Sequence, residues 1–311
     1  MLNGQRPATH RLGLALACLT MLAAACSLAT VGCAPRGPSG RTPVPPQASL
    51  WQVYTEAGEA AWLRGNYEEA ERQYVAALRE AEQLKVVAPN SPTEGLADDP
   101  GLATSLNNLG RLYTDMERYS EAQSHLDRAL TITETALGPD HPYVAVTLKN
   151  LATLYQANGR TAEAEPLLRR ALRIDERILG ATDPQVGDDL NRLGEIAAAQ
   201  QRWGDAEAFF RHGLGIREAA QGPDHPDVAI SLTSLADLLA ERDKPAEAEA
   251  LYVRALAIRE SALGSDHPSV AETLERYAAL LRKIGRVGQA RQLEDGAKMI
   301  RKRFQQGAAR S

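Results

Sequence analysis

Cysteine is missing from nearly all of this chain. Of 311 residues only Cys18, Cys26 and Cys33 carry a thiol, and all three fall within the first 33 positions. A disulfide framework or a cysteine-based metal site is thereby excluded from the remainder. Aromatic residues are scarce, at 5%, which disfavours a β-sandwich and suits closely packed helices. Positive charge is not in excess either. The net charge is −5, and losing residues 1–32, which hold Arg6 and Arg11 and no acid, takes it to −7. Phosphate binding relies on clustered Lys and Arg, so nucleic acid is not an expected partner. There is no Gly-rich phosphate loop after a strand, no His-Glu-x-x-His and no GxSxG. Without them no reaction is indicated, and the expectation is a non-enzyme with no cofactor and no small-molecule substrate.

What is present begins with an export pattern. Met1–Arg11 carries Arg6, His10 and Arg11, and no charged residue follows from Leu12 to Gly32. A positive stub before an apolar run is the pattern of a secretory signal. Residues 34–48 then turn to Pro, Gly and Ser, a composition that forms an extended tether. Ala23-Ala24-Ala25-Cys26 and Thr30-Val31-Gly32-Cys33 both place small residues before a cysteine. Each resembles the cleavage box of bacterial lipoproteins, in which the cysteine becomes the lipidated first residue. The tether starting directly after it favours Cys33, and the more usual signal length favours Cys26. The resemblance implies a membrane-anchored chain of the cell envelope, facing the periplasm or exterior. An uncleaved anchor and simple secretion are the alternatives.

The strongest signal is a repeat. Gly138, Gly180, Gly222 and Gly264 stand 42 residues apart, as do Leu106, Leu148, Leu190, Leu232 and Leu274, and Ala122, Ala164, Ala206, Ala248 and Ala290. Within one unit, Pro142 suits the first turn of a helix because it needs no N–H partner. Leu148, Leu151, Ala152 and Tyr155 recur at spacings of three and four, which marks an apolar helical face. Asn158-Gly159 ends that helix. A second helix buries Ala164, Leu167, Leu168, Ala171, Leu172 and Ile174 before Gly180. Each unit is therefore a helical hairpin that cannot cover its own apolar face, so neighbours must stack. Six units are expected, at about 49–87, 100–138, 139–180, 181–222, 223–264 and 265–306, the last decaying to a polar cap.

Leu109-Gly110 with Tyr113, then Ala122 and Ala129, resemble the landmarks of the tetratricopeptide repeat. The 42-residue period, with LGPDHP at 137–142 and RALxIxE at 170–176 and 254–260, resembles the kinesin light chain subtype. That resemblance implies an all-α, right-handed superhelical solenoid of about six antiparallel helix pairs. It also implies a scaffold that takes a protein or peptide partner in a concave groove lined by first helices. The groove positions one and five places after the core leucine are Asn107 and Arg111, Lys149 and Thr153, Asn191 and Glu195, and Thr233 and Asp237, flanked by Asn108, Asn150 and Arg192. Asn there is expected to hold peptide amides, and Arg or Lys to meet carboxylates. A structural or assembly subunit, pilotin-like and acting through its repeat edges, is the alternative.

The repeating histidines His141, His225 and His267 sit beside the helix-start prolines, one per unit. They read as caps or loop contacts rather than metal ligands, with Asp140 as the other cap candidate beside His141. Asp98-Asp99 and Asp188-Asp189 read as surface charges.

Overall fold

The computed structural model describes residues 49–87 and 100–308. The candidate signal, Cys26, Cys33, the tether and Asp98-Asp99 lie outside them. The described residues form twelve helices and no strand. They are α1 (Leu50–Leu63), α2 (Tyr67–Val87), α3 (Pro100–Asp115), α4 (Tyr119–Leu137), α5 (Pro142–Ala157), α6 (Thr161–Leu179), α7 (Pro184–Ala199), α8 (Trp203–Gln221), α9 (Pro226–Glu241), α10 (Pro245–Leu263), α11 (Pro268–Lys283) and α12 (Val287–Ala308). Consecutive odd and even helices pair into six hairpins, units one to six, and each hairpin packs on the next.

Local chemistry sets the helix ends. From unit three onward the first helix opens on Pro, and the residue before it is the N-cap. The Nδ1 atoms of His141, His225 and His267 accept the N–H of Tyr143, Asp227 and Ser269, each at 3.2 Å, and Asp183 Oδ1 accepts that of Gln185 at 2.9 Å. The histidines thus satisfy orphan N–H groups of a helix start. No cluster able to hold a metal ion occurs among the described residues. The second helices end on Gly138, Gly180, Gly222 and Gly264, whose φ angles lie between +84° and +93°, a region only glycine enters without strain.

The core runs along the array instead of sitting in one centre. Leu106, Leu148 and Leu232, with Ala122, Ala164, Ala206, Ala248 and Ala290, are fully buried at the helix crossings. Clusters bridge units: Phe210 of unit four, Tyr252 of unit five and Tyr277 and Ala290 of unit six share one apolar body. The turn edge is laced by a second column. Arg118, Arg160, Arg202 and Arg286 each hold an acceptor three residues on and reach back to the preceding unit, at Glu71, Gln123, Glu165 and Glu249 respectively. Exposed pairs of this kind contribute about 0–1 kcal/mol each, so the apolar core dominates. No helix among the described residues is long and apolar enough to cross a membrane.

Candidate binding face and the seams behind it

Three positions per unit, all at the 42-residue step, carry polar side chains into the seams between units. One column on the first helices is Ser105, Thr147, Asp189, Ser231 and Thr273, every member fully buried. A second, on the second helices, is Thr133, Asp175, Arg217 and Arg259, also buried. The third is Asn107, Lys149, Asn191 and Thr233, of which Lys149 alone is half-buried. Each seam draws its columns from two neighbouring units. Buried polar groups must find partners, because an orphaned one costs about 1–3 kcal/mol.

The seams meet that demand with different chemistry. Between units two and three, Asn107 Nδ2 donates to Thr147 Oγ1 at 3.0 Å and Asn150 Nδ2 donates to Asn107 Oδ1 at 3.0 Å. Between units three and four, Lys149 Nζ lies 2.7 Å from Asp175 Oδ2 and 3.4 Å from Asp189 Oδ1. Between units four and five, Asn191 Nδ2 donates to Ser231 Oγ at 2.8 Å, and Arg217 donates to Ser231 and pairs with Asp188. Between units five and six, Arg259 donates to Thr273 and to the Ser269 carbonyl.

This corrects the reading of Asp188-Asp189 as surface charges. Asp189 is fully buried, and the half-exposed Asp188 is committed to Arg217. Burial, offset by Lys149 and reinforced by the neighbouring Asp175, pushes the Asp189 carboxyl up to about 7. Burial also pushes Arg217 down to about 10. Sequence reasoning missed these columns. Their signal was the 42-residue recurrence of a polar residue one place before the core leucine, as in Thr147-Leu148 and Ser231-Leu232.

The expected groove residues therefore divide in two. Asn107, Lys149, Asn191 and Thr233 point into the seams. Asn108, Arg111, Asn150, Thr153, Arg192 and Asp237 are half-buried on the open side of the first helices, and Glu195 is exposed there. Among the described residues the Asn108 amide has no hydrogen-bond partner. Arg111 lies over the Trp62 ring at 4.6 Å, and its buried Nη2 has no acceptor. Thr153 Oγ1 accepts from Arg192 Nη1 at 3.2 Å. Arg111 stacks on Trp62 and Arg192 donates to Thr153, whereas Arg276 in unit six is held by both Asp237 and Glu272. The open face thus offers amides and guanidinium groups in units two to four and neutralised pairs in units five and six.

A stack of hairpins sealed at its seams, with its first-helix face open, is a helical-repeat solenoid. The sequence model for the tetratricopeptide repeat matches residues 101–177, 189–261 and 239–295, more than half of the chain, and the chain belongs to that family. Solved structures agree. A kinesin light chain-type protein of Podosopora anserina with nearly identical TPR-like repeats is 25% identical, covering 65% of this chain and 95% of that one with a TM-score of 0.54. BtubC (BKLC) of P. vanneervenii is 24% identical over 76% of this chain and 92% of that one, TM-score 0.63. PilW, a type IV pilus biogenesis factor, shares the fold at 18% identity, covering 80% and 92%, TM-score 0.54. No curated protein matches the sequence.

Proposed function

We propose that this chain is a non-catalytic adaptor of the cell envelope, held to the membrane through a lipidated cysteine and binding an extended peptide or partner protein on its first-helix face. The observation that carries the reading is the contrast behind that face. Polar residues at the seams are spent on neighbouring units, whereas Asn108 and Arg111 keep donor capacity where a ligand would lie. Anchoring rests on residues 1–33, by the signal and cysteine pattern alone.

The test is a crosslinking pull-down from membranes, comparing wild type with an Asn108→Ala, Arg111→Gln variant, whose two sites take no part in the seam hydrogen bonds. A partner lost by the variant supports groove binding. Palmitate labelling that survives Cys26→Ala and vanishes in Cys33→Ala identifies the anchor, and labelling unaffected by either substitution removes it.

A second reading, assembly through a repeat edge, has one observation in its favour. The outer helix α1 exposes Leu50 and Val53 on one side, at 58% and 46%, whereas a later first helix has the preceding unit packed against it. A partner kept by the groove variant but lost on Leu50→Glu with Val53→Glu would select edge assembly.

A further inference from the structure

Unit four departs from its neighbours in two ways that meet at one seam. At the α7–α8 crossing, Gly187 and Gly213 replace the alanines that stand at the same places in the units on either side (Ala145 and Ala171, Ala229 and Ala255). A Cβ on Gly213 would come within 2.8 Å of the Gly187 carbonyl, so the two helices meet backbone to backbone. Gly194, Gly204 and Gly215 add three more glycines inside these helices, each a weaker helix former than alanine. The least intrinsically helical unit is also the one whose seam with unit three buries two carboxyl groups against one ammonium.

That seam is electrostatically incomplete. Lys149 from α5 contacts Asp175 from α6 and Asp189 from α7. Arg192, on α7 itself, adds a weaker attraction to Asp189. Arg217, from α8, is engaged by Asp188 instead. Neither Asp189 oxygen accepts a hydrogen bond. Two buried anions meet one half-buried ammonium in direct contact, with Arg192 attracting only from farther off, so their negative charge is incompletely compensated. The seams on either side have no such excess, being built on Asn107 with Thr147 and on Arg217 with Ser231 and Asp188.

We infer that the seam between units three and four is a proton-operated joint: one proton, taken up by the buried Asp189 beside Asp175 and Lys149, converts a seam that opens readily into one that holds. The bound proton gives Asp189 an O–H to donate to the neighbouring Asp175 carboxylate and leaves Lys149 facing a single negative charge. The sign follows from the raised position of Asp189. The closed seam binds a proton that the opened seam, with its carboxyls in water, releases. Acidification from about pH 7 toward pH 4 therefore favours closure, and alkaline pH favours opening. Because each unit contacts only its neighbours, opening here would let the two halves of the solenoid, and the face running across them, change curvature.

The experiment is native-state hydrogen exchange on the full chain between pH 8 and pH 5, read as protection factors so that the intrinsic pH dependence of exchange is divided out. The ratio of protection in α6 and α7 to that in α9 and α10 is expected to rise by up to about tenfold per pH unit below 7, the slope of one proton. Asp189→Asn should give a high ratio at every pH. Lys149→Gln should move the transition to higher pH, because the cation that favours the ionised form is gone. A ratio that does not change with pH in the wild type would overturn the joint. So would an unchanged pH dependence in Asp189→Asn, which alone suffices if Lys149→Gln does not fold.

Discussion

The seam between units three and four and the seam between units five and six use the same three positions and differ in what they bury. The first encloses Lys149, Asp175 and Asp189, and the second Thr233, Arg259 and Thr273. Both sit behind the same open face and under equivalent leucine and alanine contacts. The comparison shows how a repeat protein can keep one apolar design throughout and still give each joint its own strength. Apolar landmarks set the stack, and the polar triplets grade it.

Breaking the cation should separate the two seams most. Lys149→Met strands two buried carboxyls and is expected to cost about 3–5 kcal/mol at pH 8, with a smaller loss at pH 5. Thr233→Val at the other seam should cost no more than about 1 kcal/mol. Denaturant midpoints at both pH values check this. Overpacking a crossing tests the shared part of the design. Ala164→Leu and Ala206→Leu fill sites that are fully buried and should each lose about 1–3 kcal/mol, independent of pH.

Asp189→Asn sharpens the contrast with the opposite sign. A carboxyl raised to about 7 from an unfolded value near 4 weakens the folded state as pH rises through 7. The amide should therefore stabilise by about 1–3 kcal/mol at pH 8 and by little at pH 4. Thermal unfolding across that range is the measurement. The smallest effect concerns the turns. Gln201, at φ +59°, occupies the left-handed place that Gly159 and Gly285 fill in their own units. Gln201→Gly should raise stability by about 0.5–1 kcal/mol.

The landmarks Leu148, Ala164 and Gly180 were legible in the sequence because helical periodicity and the 42-residue step both point at them. The split of the candidate face into seam and open positions was not. Asn107 and Arg111 lie one turn apart on a single helix, so periodicity assigns both to one surface. What separates them is the next unit, whose Thr147 and Asn150 close over Asn107 and leave Arg111 on the open side. The spacing of residues within one helix does not report what a neighbouring hairpin covers. Asp189 was misread for the same reason, since beside Asp188 it resembles a solvated acid pair. The kinesin light chain-type resemblance carried the family and the fold, and the export signal rests on residues outside those the structure describes.

Neighbouring hairpins complete one another, and successive C-terminal deletions put that dependence to the test. Chains ending at Gly264, Gly222 and Gly180 should melt at progressively lower temperatures, with cooperative unfolding lost as fewer than about three units remain. Melting temperatures that stay constant through the series would mean that each hairpin stands alone and that stacking contributes nothing to its stability.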